Sequence, residues 1–336
     1  MRGVIDLAAA VDALAAEGAF SGVVRIDHGD EVVLSKAYGF ADRRWKIPNA
    51  PETRFATASG VKGMTALAVM SLVEDGTLQL TTTARSVLGA DLPLIDDAVT
   101  VEQLLAHRSG IGDYFDEDLA GEISDYLLPV PVHTLTDTED YLAVLDGFPT
   151  KFPPDERFSY CNGGFVVLAL VAERASGMPF RELVAERVCT PAGMTDTAFL
   201  RSDELPAGVA VGYFDTDGLR TNVLHLPVRG TGDGGAYTTA ADMRRLWVAV
   251  FAGRIVSESA LQAMTSPRSD YPDAKKRYGL GFWLHPTTDS VILLGYDAGA
   301  SFSSLHNPHE DVTATVISNW SEGAWPFGRM FQERLG

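Results

Sequence analysis

Residues 59–75 form an apolar run that has no clearly polar face. The run reads SGVKGMTALAVMSLVED and is followed by Gly76. A helix with one solvated face would instead carry polar residues along a continuous stripe. The pattern therefore predicts a helix that is buried on several faces and stops at Gly76. Other elements must pack around such a helix on more than one side.

Composition narrows the classes of protein that can supply this packing. The 336 residues are 46% hydrophobic, enough for one large or two moderate domains with a core. The formal net charge of −18 makes nucleic acid and an anionic membrane surface poor partners and favours small or uncharged ligands. Two cysteines, Cys161 and Cys189, are too few for a disulfide framework.

The N-terminal segment reads as an amphipathic helix that ends near Gly18. Asp6, Asp12 and Glu17 interrupt its apolar residues, which argues against a signal peptide. Elsewhere the sequence has no uncharged apolar run of the length that a membrane-spanning helix needs. We therefore expect a cytoplasmic protein with no membrane partner; the oligomeric state is left open.

Strand patterns occur near both ends of the chain and helical patterns between them. Two alternating segments flank the turn His28-Gly29-Asp30 and predict a hairpin. Further strands are expected at 278–284, 290–294, 301–306 and 312–318. Helices are expected at 100–107, 136–146, 163–176 and 179–188, from Thr239 or Ala240, and from about Trp325.

This order predicts an α+β fold with one antiparallel sheet assembled from both chain termini and an inserted all-helical region. We expect a discontinuous α/β sheet domain of residues 1–80 and 205–336. Residues 81–204 would form the helical domain, and the active-site cleft would lie between the two.

Three patterns look chemical and are better explained by structure. Gly230-Thr-Gly-Asp-Gly-Gly235 follows no buried strand, so a dinucleotide site is not expected. His306-Asn-Pro-His309 lacks a third nearby ligand and is interpreted as a solvated hairpin loop, so no metal or organic cofactor is predicted. His107, at a predicted helix end, is interpreted as a capping or packing residue.

Two short motifs remain, Ser59-x-x-Lys62 and Tyr160-x-Asn162. A serine at a helix start lies near unpaired backbone N–H groups that favour developing negative charge. A lysine three residues later projects from the same face, and an apolar setting would lower the pKa of its ammonium. Lys62 could then take the proton of Ser59. The alternative is a buried serine cap with a lysine that reaches solvent.

Longer phrases around these motifs give the chain a family resemblance. Residues 53–59, 104–111, 158–165 and 234–242 read TRFATAS, LLAHRSGI, FSYCNGGF and GGAYTTAAD. Over nearly its whole length, the chain resembles the serine β-lactamase and penicillin-binding-protein superfamily. Within it, the chain is most similar to the branch of class C-like esterases, D-aminopeptidases and transacylases.

The resemblance implies a role for each motif residue. Ser59 would be the acyl-accepting nucleophile, and Lys62 and Tyr160 would transfer protons, with Tyr160 serving the leaving group. Asn162 would orient Lys62 and the acyl side of the substrate. The oxyanion would be held by the Ser59 N–H and by a second N–H from a late strand.

The resemblance also implies a third motif on the late strand, the Lys-Thr-Gly or His-x-Gly box, and this chain departs from it. The candidate segment is GYDAGASF, residues 295–302, in which Asp297 replaces the usual cation. In the better register Ala300 supplies the second N–H; in a register shifted by one, Gly299 does. An Asp297 that faces the cleft would repel the carboxylate of a penicillin. Alternatively, Asp297 caps a turn.

Together these features predict a serine hydrolase that acts through a Ser59 acyl-enzyme on a small-molecule ester or amide. The nearest alternative is a transacylase that passes the acyl group to an amine or alcohol. A non-catalytic binding protein that has kept the fold is a third hypothesis. If Asp297 proves to be a turn residue, specificity would be sought around Tyr114, Phe115 and Tyr126.

Overall fold

The computed structural model describes residues 2–117, 121, 125–271 and 276–336. The strands are β1 (Gly22–His28), β2 (Glu31–Tyr38), β3 (Phe40–Asp42), β4 (Ile47–Pro48), β5 (Phe55–Ala56), β6 (Tyr237–Thr238), β7 (Ser269–Tyr271), β8 (Lys276–Tyr278), β9 (Trp283–Leu284), β10 (Val291–Asp297), β11 (Ala300–Asn307) and β12 (Val312–Ser318). The helices are α1 (Arg2–Glu17), α2 (Lys62–Glu74), α3 (Ala84–Leu88), α4 (Val101–Leu105), α5 (Leu142–Leu145), α6 (Asn162–Ser176), α7 (Phe180–Val184), α8 (Thr190–Ala192), α9 (Ala240–Phe251), α10 (Glu258–Thr265) and α11 (Trp325–Leu335).

One antiparallel sheet joins the two ends of the chain. Its order is β2-β1-β12-β11-β10-β9-β8-β7. β1 pairs with β12 in a register that places Gly22 opposite Ser318 and His28 opposite Val312. The predicted α+β fold is therefore confirmed: strands from both termini share one sheet, and helices occupy the chain between them. The predicted limits of the two domains remain a prediction.

Both faces of the sheet are covered, which explains why every residue of β11 is buried, its serines included. On one face, Val24 and Val316 pack in a cluster with α1 and α11 that includes Val11 and Phe327. On the other face, a larger core that includes Phe302 contains α2, α6 and α9. No helix among the described residues is long and apolar enough to cross a membrane.

Helix α2 lies at the centre of the larger core. Every residue from Lys62 to Leu72 is buried, as the apolar run predicted. Gly60 and Gly63 let this segment approach the sheet, because an added Cβ would lie 2.5 Å from Phe302 or Leu293 side-chain atoms, respectively. The start of α2 is therefore pressed against the sheet, and the side chain of Lys62 is enclosed.

Four predicted elements differ from the structure. The helix expected from Ser59 begins as a 3-10 turn, Ala58–Val61, and becomes α-helical at Lys62. The helix expected at 136–146 is a 3-10 turn followed by the short α5. The helix expected at 179–188 becomes a π-helical turn at residues 185–189. The strand expected at 278–284 is interrupted, because residues 279–281 leave the sheet to hydrogen bond with Met264 and Leu105.

The interpretation of His306 as a loop residue is wrong. His306 lies in β11, is buried, and its Nδ1 is 3.0 Å from Thr313 Oγ1. The loop begins only after Asn307, where β11 ends. Within the described residues, no group of three metal-ligating side chains occurs.

Candidate active site

Ser59 lies in the 3-10 turn that leads into α2, beside the edge of β10. The turn is anchored by Thr57, whose N–H and hydroxyl both donate to the carbonyl of Ala236, at 2.8 and 3.0 Å. The α-carbon of Gly295 faces this turn so closely that a Cβ there would lie 2.0 Å from the Thr57 carbonyl oxygen. Strand β10 and the Ser59 turn are thus in backbone contact.

Lys62 points from the first turn of α2 directly at Ser59. Its Nζ lies 2.8 Å from Ser59 Oγ, 2.8 Å from Asn162 Oδ1 and 2.8 Å from the Asp233 carbonyl oxygen. The residue is 2% exposed, and this burial lowers the pKa of its ammonium, although nearby carboxylates of Asp233 and Glu117 oppose the shift. A neutral amine could donate to Asn162 and Asp233 and accept the hydroxyl proton of Ser59.

Tyr160 also lies beside Ser59. The Ser59 side chain interacts with the Tyr160 hydroxyl and lowers its pKa, but burial is the larger effect and raises that pKa well above the usual range. Its ring lies 5.0 Å from Lys62 Nζ and stacks on Trp283. The phenol therefore stays protonated at neutral pH, which suits a proton donor rather than a base.

Asn162 is the first residue of α6, and its position is set by two groups of contacts. Asp113 accepts hydrogen bonds from the backbone N–H groups of Asn162 and Gly163, at 2.6 and 2.8 Å, and so caps the helix. The Asn162 amide nitrogen donates to the Phe115 carbonyl and to Glu117 Oε1. Its amide oxygen is thereby turned toward Lys62.

The structure brings together Ser59, Lys62, Tyr160 and Asn162; their catalytic roles stay a prediction. Sequence reasoning missed Asp113, Glu117 and Asp233, which come from distant segments. Asp233 belongs to the glycine-rich loop at 230–235, but the sequence of this loop does not indicate that it reaches Lys62. The Tyr114 hydroxyl donates to the buried Asp233 carboxylate, and burial raises the pKa of that carboxyl.

The third box differs from its expected geometry. Asp297 and Ala300 are paired at the end of the β10–β11 hairpin, and Gly299 sits in the turn with φ +72°. The Gly299 N–H donates to Ser321 Oγ at 2.9 Å, so it is not free to bind an oxyanion. Ala300 is buried in β11. The edge of β10 near Gly295, rather than these two turn residues, adjoins the Ser59 turn.

Asp297 faces the cleft. It shares a pocket with Ser59, and its Oδ1 also accepts from the Ala298 N–H at 2.8 Å. Desolvation, reinforced by the carboxylates of Asp233 and Glu117, raises its pKa to about 7. The carboxyl therefore both caps the turn and contributes negative charge to the cleft at alkaline pH.

Ser59 lies where two pockets of different character meet. One pocket has acidic side chains: Glu117, Asp233 and Asp297, together with Tyr114, Phe115 and Tyr126. The other has aromatic side chains: Phe158, Tyr160, Tyr271, Trp283, Tyr296 and Trp325. Among the described residues, the lining of these two pockets includes no lysine or arginine. Within this described lining, a substrate carboxylate would meet acidic side chains rather than a lysine or an arginine.

Known proteins are similar to this chain in sequence and in fold. The sequence model of the Beta-lactamase family matches residues 7–335. The crystal structure of a penicillin binding protein from Bacillus halodurans superposes with a TM-score of 0.90 at 36% identity, covering 96% of this chain and 99% of that one.

Several curated relatives have enzymatic names, among them an esterase and a D-aminopeptidase. Esterase EstB of Burkholderia gladioli is 34% identical over 194 residues, or 56% of this chain and 48% of its own length. The D-aminopeptidase of Cereibacter sphaeroides is 28% identical over 91% of this chain and 57% of its own length. The family match over almost the whole chain and the close structural match show that the chain belongs to the beta-lactamase family of serine hydrolases.

Proposed function

We propose that the protein hydrolyses a small ester or amide through an acyl-enzyme formed on Ser59. The observation that carries the proposal is the contact of Ser59 with both a buried lysine and a half-buried tyrosine. The lysine has a lowered pKa and the tyrosine a raised one, so one group is suited to accept a proton and the other to donate one.

The reaction follows from this arrangement. Lys62 takes the Ser59 hydroxyl proton as Oγ attacks the substrate carbonyl carbon. The oxyanion is held by the Ser59 N–H and by a backbone N–H from the edge of β10. Tyr160 donates its proton to the leaving group as the acyl bond breaks, and regains a proton from Lys62. Water then attacks the acyl-enzyme, loses a proton to the same pair, and releases the acid and free Ser59.

The cleft also points to a substrate class. Tyr160 belongs to the aromatic pocket, so the leaving group would occupy that side and the acyl group would lie toward Asn162 in the acidic pocket. We expect neutral or cationic acyl groups to be preferred, because Asp297 and Glu117 would repel an anionic one. A penicillin carries its carboxylate on the leaving-group side, where Glu117 also lines the aromatic pocket, so penicillins should be poor substrates as well.

Intact-mass spectrometry of the full chain tests the proposal. After exposure to an activated ester, the wild-type protein should gain the mass of one acyl group, located on Ser59 by peptide mapping. Ser59→Ala should neither acylate nor turn over, while losing only about 1 kcal/mol of stability with the hydrogen bond between Ser59 and Lys62. Ser59→Ala activity above about a tenth of wild type would contradict the assignment of Ser59 as nucleophile. If Ser59 of the wild-type protein failed to react with a fluorophosphonate, a non-catalytic binding protein would be favoured instead.

A transacylase remains the second candidate. The structure of EstCE1, described as a hydrolase with promiscuous acyltransferase activity, shares the fold at a TM-score of 0.80 and 20% identity. Acylation would be identical, and an amine or alcohol would replace water in the second step. Incubation with an activated ester and a panel of amines separates the two, since a transacylase would yield mainly aminolysis product.

A further inference from the structure

His107 holds the segment around Tyr160 from both sides. Its backbone carbonyl accepts from the Ser159 N–H at 2.9 Å, and its Nδ1 accepts from the Cys161 N–H at 3.0 Å. The imidazole ring lies against the Tyr160 ring, with centroids 4.3 Å apart. The residues immediately before and after Tyr160 are therefore both attached to His107.

Packing alone does not explain a histidine at this position. The side chain is 1% exposed and contacts the rings of Phe165 and Tyr278. Within the described part of the chain, Nε2 has no hydrogen-bond partner. An apolar ring would fill the same space without burying an unpaired polar atom. The feature that such a ring could not supply is the Nδ1 acceptor for the Cys161 N–H.

The backbone of His107 supports the same conclusion. Its φ is +54°, a region that residues other than glycine seldom adopt. This conformation lets one residue present both its carbonyl and its Nδ1 to the strand-like segment 159–161. The positive φ of His107 is thus coupled to its two hydrogen bonds with the N–H groups of Ser159 and Cys161.

We propose that His107 is a positioning residue whose neutral Nε2–H tautomer fixes Tyr160 for proton donation to the leaving group. The inference rests on the proposed function, because it assigns a purpose to His107 only if Tyr160 is that donor. Burial, reinforced by the nearby Lys62, holds the pKa of His107 well below its usual range, so Nδ1 stays an acceptor.

Leaving-group dependence separates this role from a general structural one. An alkyl ester needs a proton on its departing alkoxide, whereas a p-nitrophenyl ester with the same acyl group does not. For His107→Phe, which keeps a ring and removes the acceptor, the single-turnover rate constant for acylation by the alkyl ester should fall about 10-fold or more. Its rate constant for acylation by the p-nitrophenyl ester should stay within about threefold of wild type. Acylation is measured because deacylation is common to both esters. Equal losses on both esters would overturn the proposal.

Tyr160→Phe serves as the reference variant. It should show the same selective loss, and the double variant His107→Phe/Tyr160→Phe should be no slower than Tyr160→Phe alone, because both changes act through one group. If Tyr160→Phe is selective and His107→Phe is not, only the role of His107 fails. If Tyr160→Phe is not selective either, the proposed role of Tyr160 fails with it.

A rescue variant and a direct measurement complete the test. His107→Asn places an amide oxygen near the position of Nδ1 and tolerates positive φ, so it should restore most of the alkyl-ester rate that His107→Phe loses. If it behaves like His107→Phe, the hydrogen bond is not the cause. Nitrogen-15 NMR of the wild-type imidazole should show a protonated Nε2 and an unprotonated Nδ1; the opposite tautomer would overturn the proposal even if the variants fail to fold.

Discussion

Two opposing effects set the charge on Lys62. Burial lowers the pKa of its ammonium, while the carboxylates of Asp233 and Glu117 raise it, and the net direction is downward. The acidic residues therefore limit the effect of burial without cancelling it. Such a lysine can accept a proton from Ser59 and release it again, which both halves of the reaction require.

Asp297 should set the preference for the charge of the acyl group. Asp297→Asn is expected to lower the ratio of kcat/KM for a quaternary-ammonium ester to that for a neutral isostere. The change is about 1–3 kcal/mol, or roughly 5- to 150-fold, carried mainly by KM of the cationic ester. A ratio unchanged within about twofold would make Asp297 a turn residue and move specificity to Tyr114, Phe115 and Tyr126.

The same ratio should depend on pH in the wild-type protein. The pKa of Asp297 is raised to about 7, so the carboxyl is mostly neutral below that pH and charged above it. Preference for the quaternary ammonium, which does not titrate, should therefore rise between about pH 6 and pH 8. Asp297→Asn should flatten this rise, which distinguishes Asp297 from Asp233 and Glu117.

At the level of elements, β10 and the Ser59 turn are in backbone contact at the site proposed for the oxyanion. The close approach is possible because position 295 has no side chain. The nucleophile and the strand edge come from segments that are more than 200 residues apart in the chain. Their relative position therefore depends on how tightly the start of α2 packs on the sheet.

Gly295→Ala should separate these two elements. Its Cβ would lie 2.0 Å from the Thr57 carbonyl oxygen, so the strand or the turn must shift by about 1 Å to reach the 3.0 Å that a real contact needs. We expect kcat to fall by about 10²-fold or more, since such displacement misplaces the oxyanion donor. Gly18→Ala is the matched control, because its Cβ would meet only Leu14 O at 3.4 Å. Equal kinetics for the two variants would contradict this account.

Across the whole molecule, the two covered faces of the sheet pack against different sets of residues. The α2 face carries Ser59 and Lys62, whereas the α1 and α11 face carries a separate apolar cluster. Phe327 in that cluster is 1% exposed, and its ring lies 4.6 Å from the ring of Phe20. Stability and catalysis should therefore be separable by mutation.

Phe327→Ala should reduce the free energy of unfolding by about 3–5 kcal/mol, the usual range for a large buried aromatic side chain. The kcat/KM of the folded fraction should remain within about threefold of wild type, because Ser59 and Lys62 lie across the sheet and Phe327, unlike Trp325 of the same helix, lines neither pocket. Urea unfolding and steady-state kinetics measure the two effects. Phe40→Ala, at a position 42% exposed, is the control and should change neither. A large drop in kcat/KM for Phe327→Ala would show that the faces are coupled.

The local sequence was sufficient to predict those features that depend on residues close together in the chain. The three-residue spacing of Ser59 and Lys62 places both on one side of the start of α2, and the apolar run predicts the burial that lowers the pKa of Lys62. The alternating segments near both ends predicted the sheet, since period-two patterns reflect burial of strand faces. Family resemblance added Tyr160 and Asn162 to the site.

Only the tertiary structure decided which distant groups meet. Asp233 and Asn162 reach Lys62 from positions 171 and 100 residues away, and no local pattern encodes such contacts. The register of the β10–β11 hairpin was equally undetermined, because GYDAGASF is compatible with several turn positions and packing on the Ser59 turn selects one. The sequence by itself indicated Ser59 as the candidate nucleophile, Lys62 as its candidate base, and the fold class, through local spacing and burial. Long-range packing decided the acidic pocket, the oxyanion edge and the attachment of Tyr160 to His107, since those contacts exist only after the chain has folded.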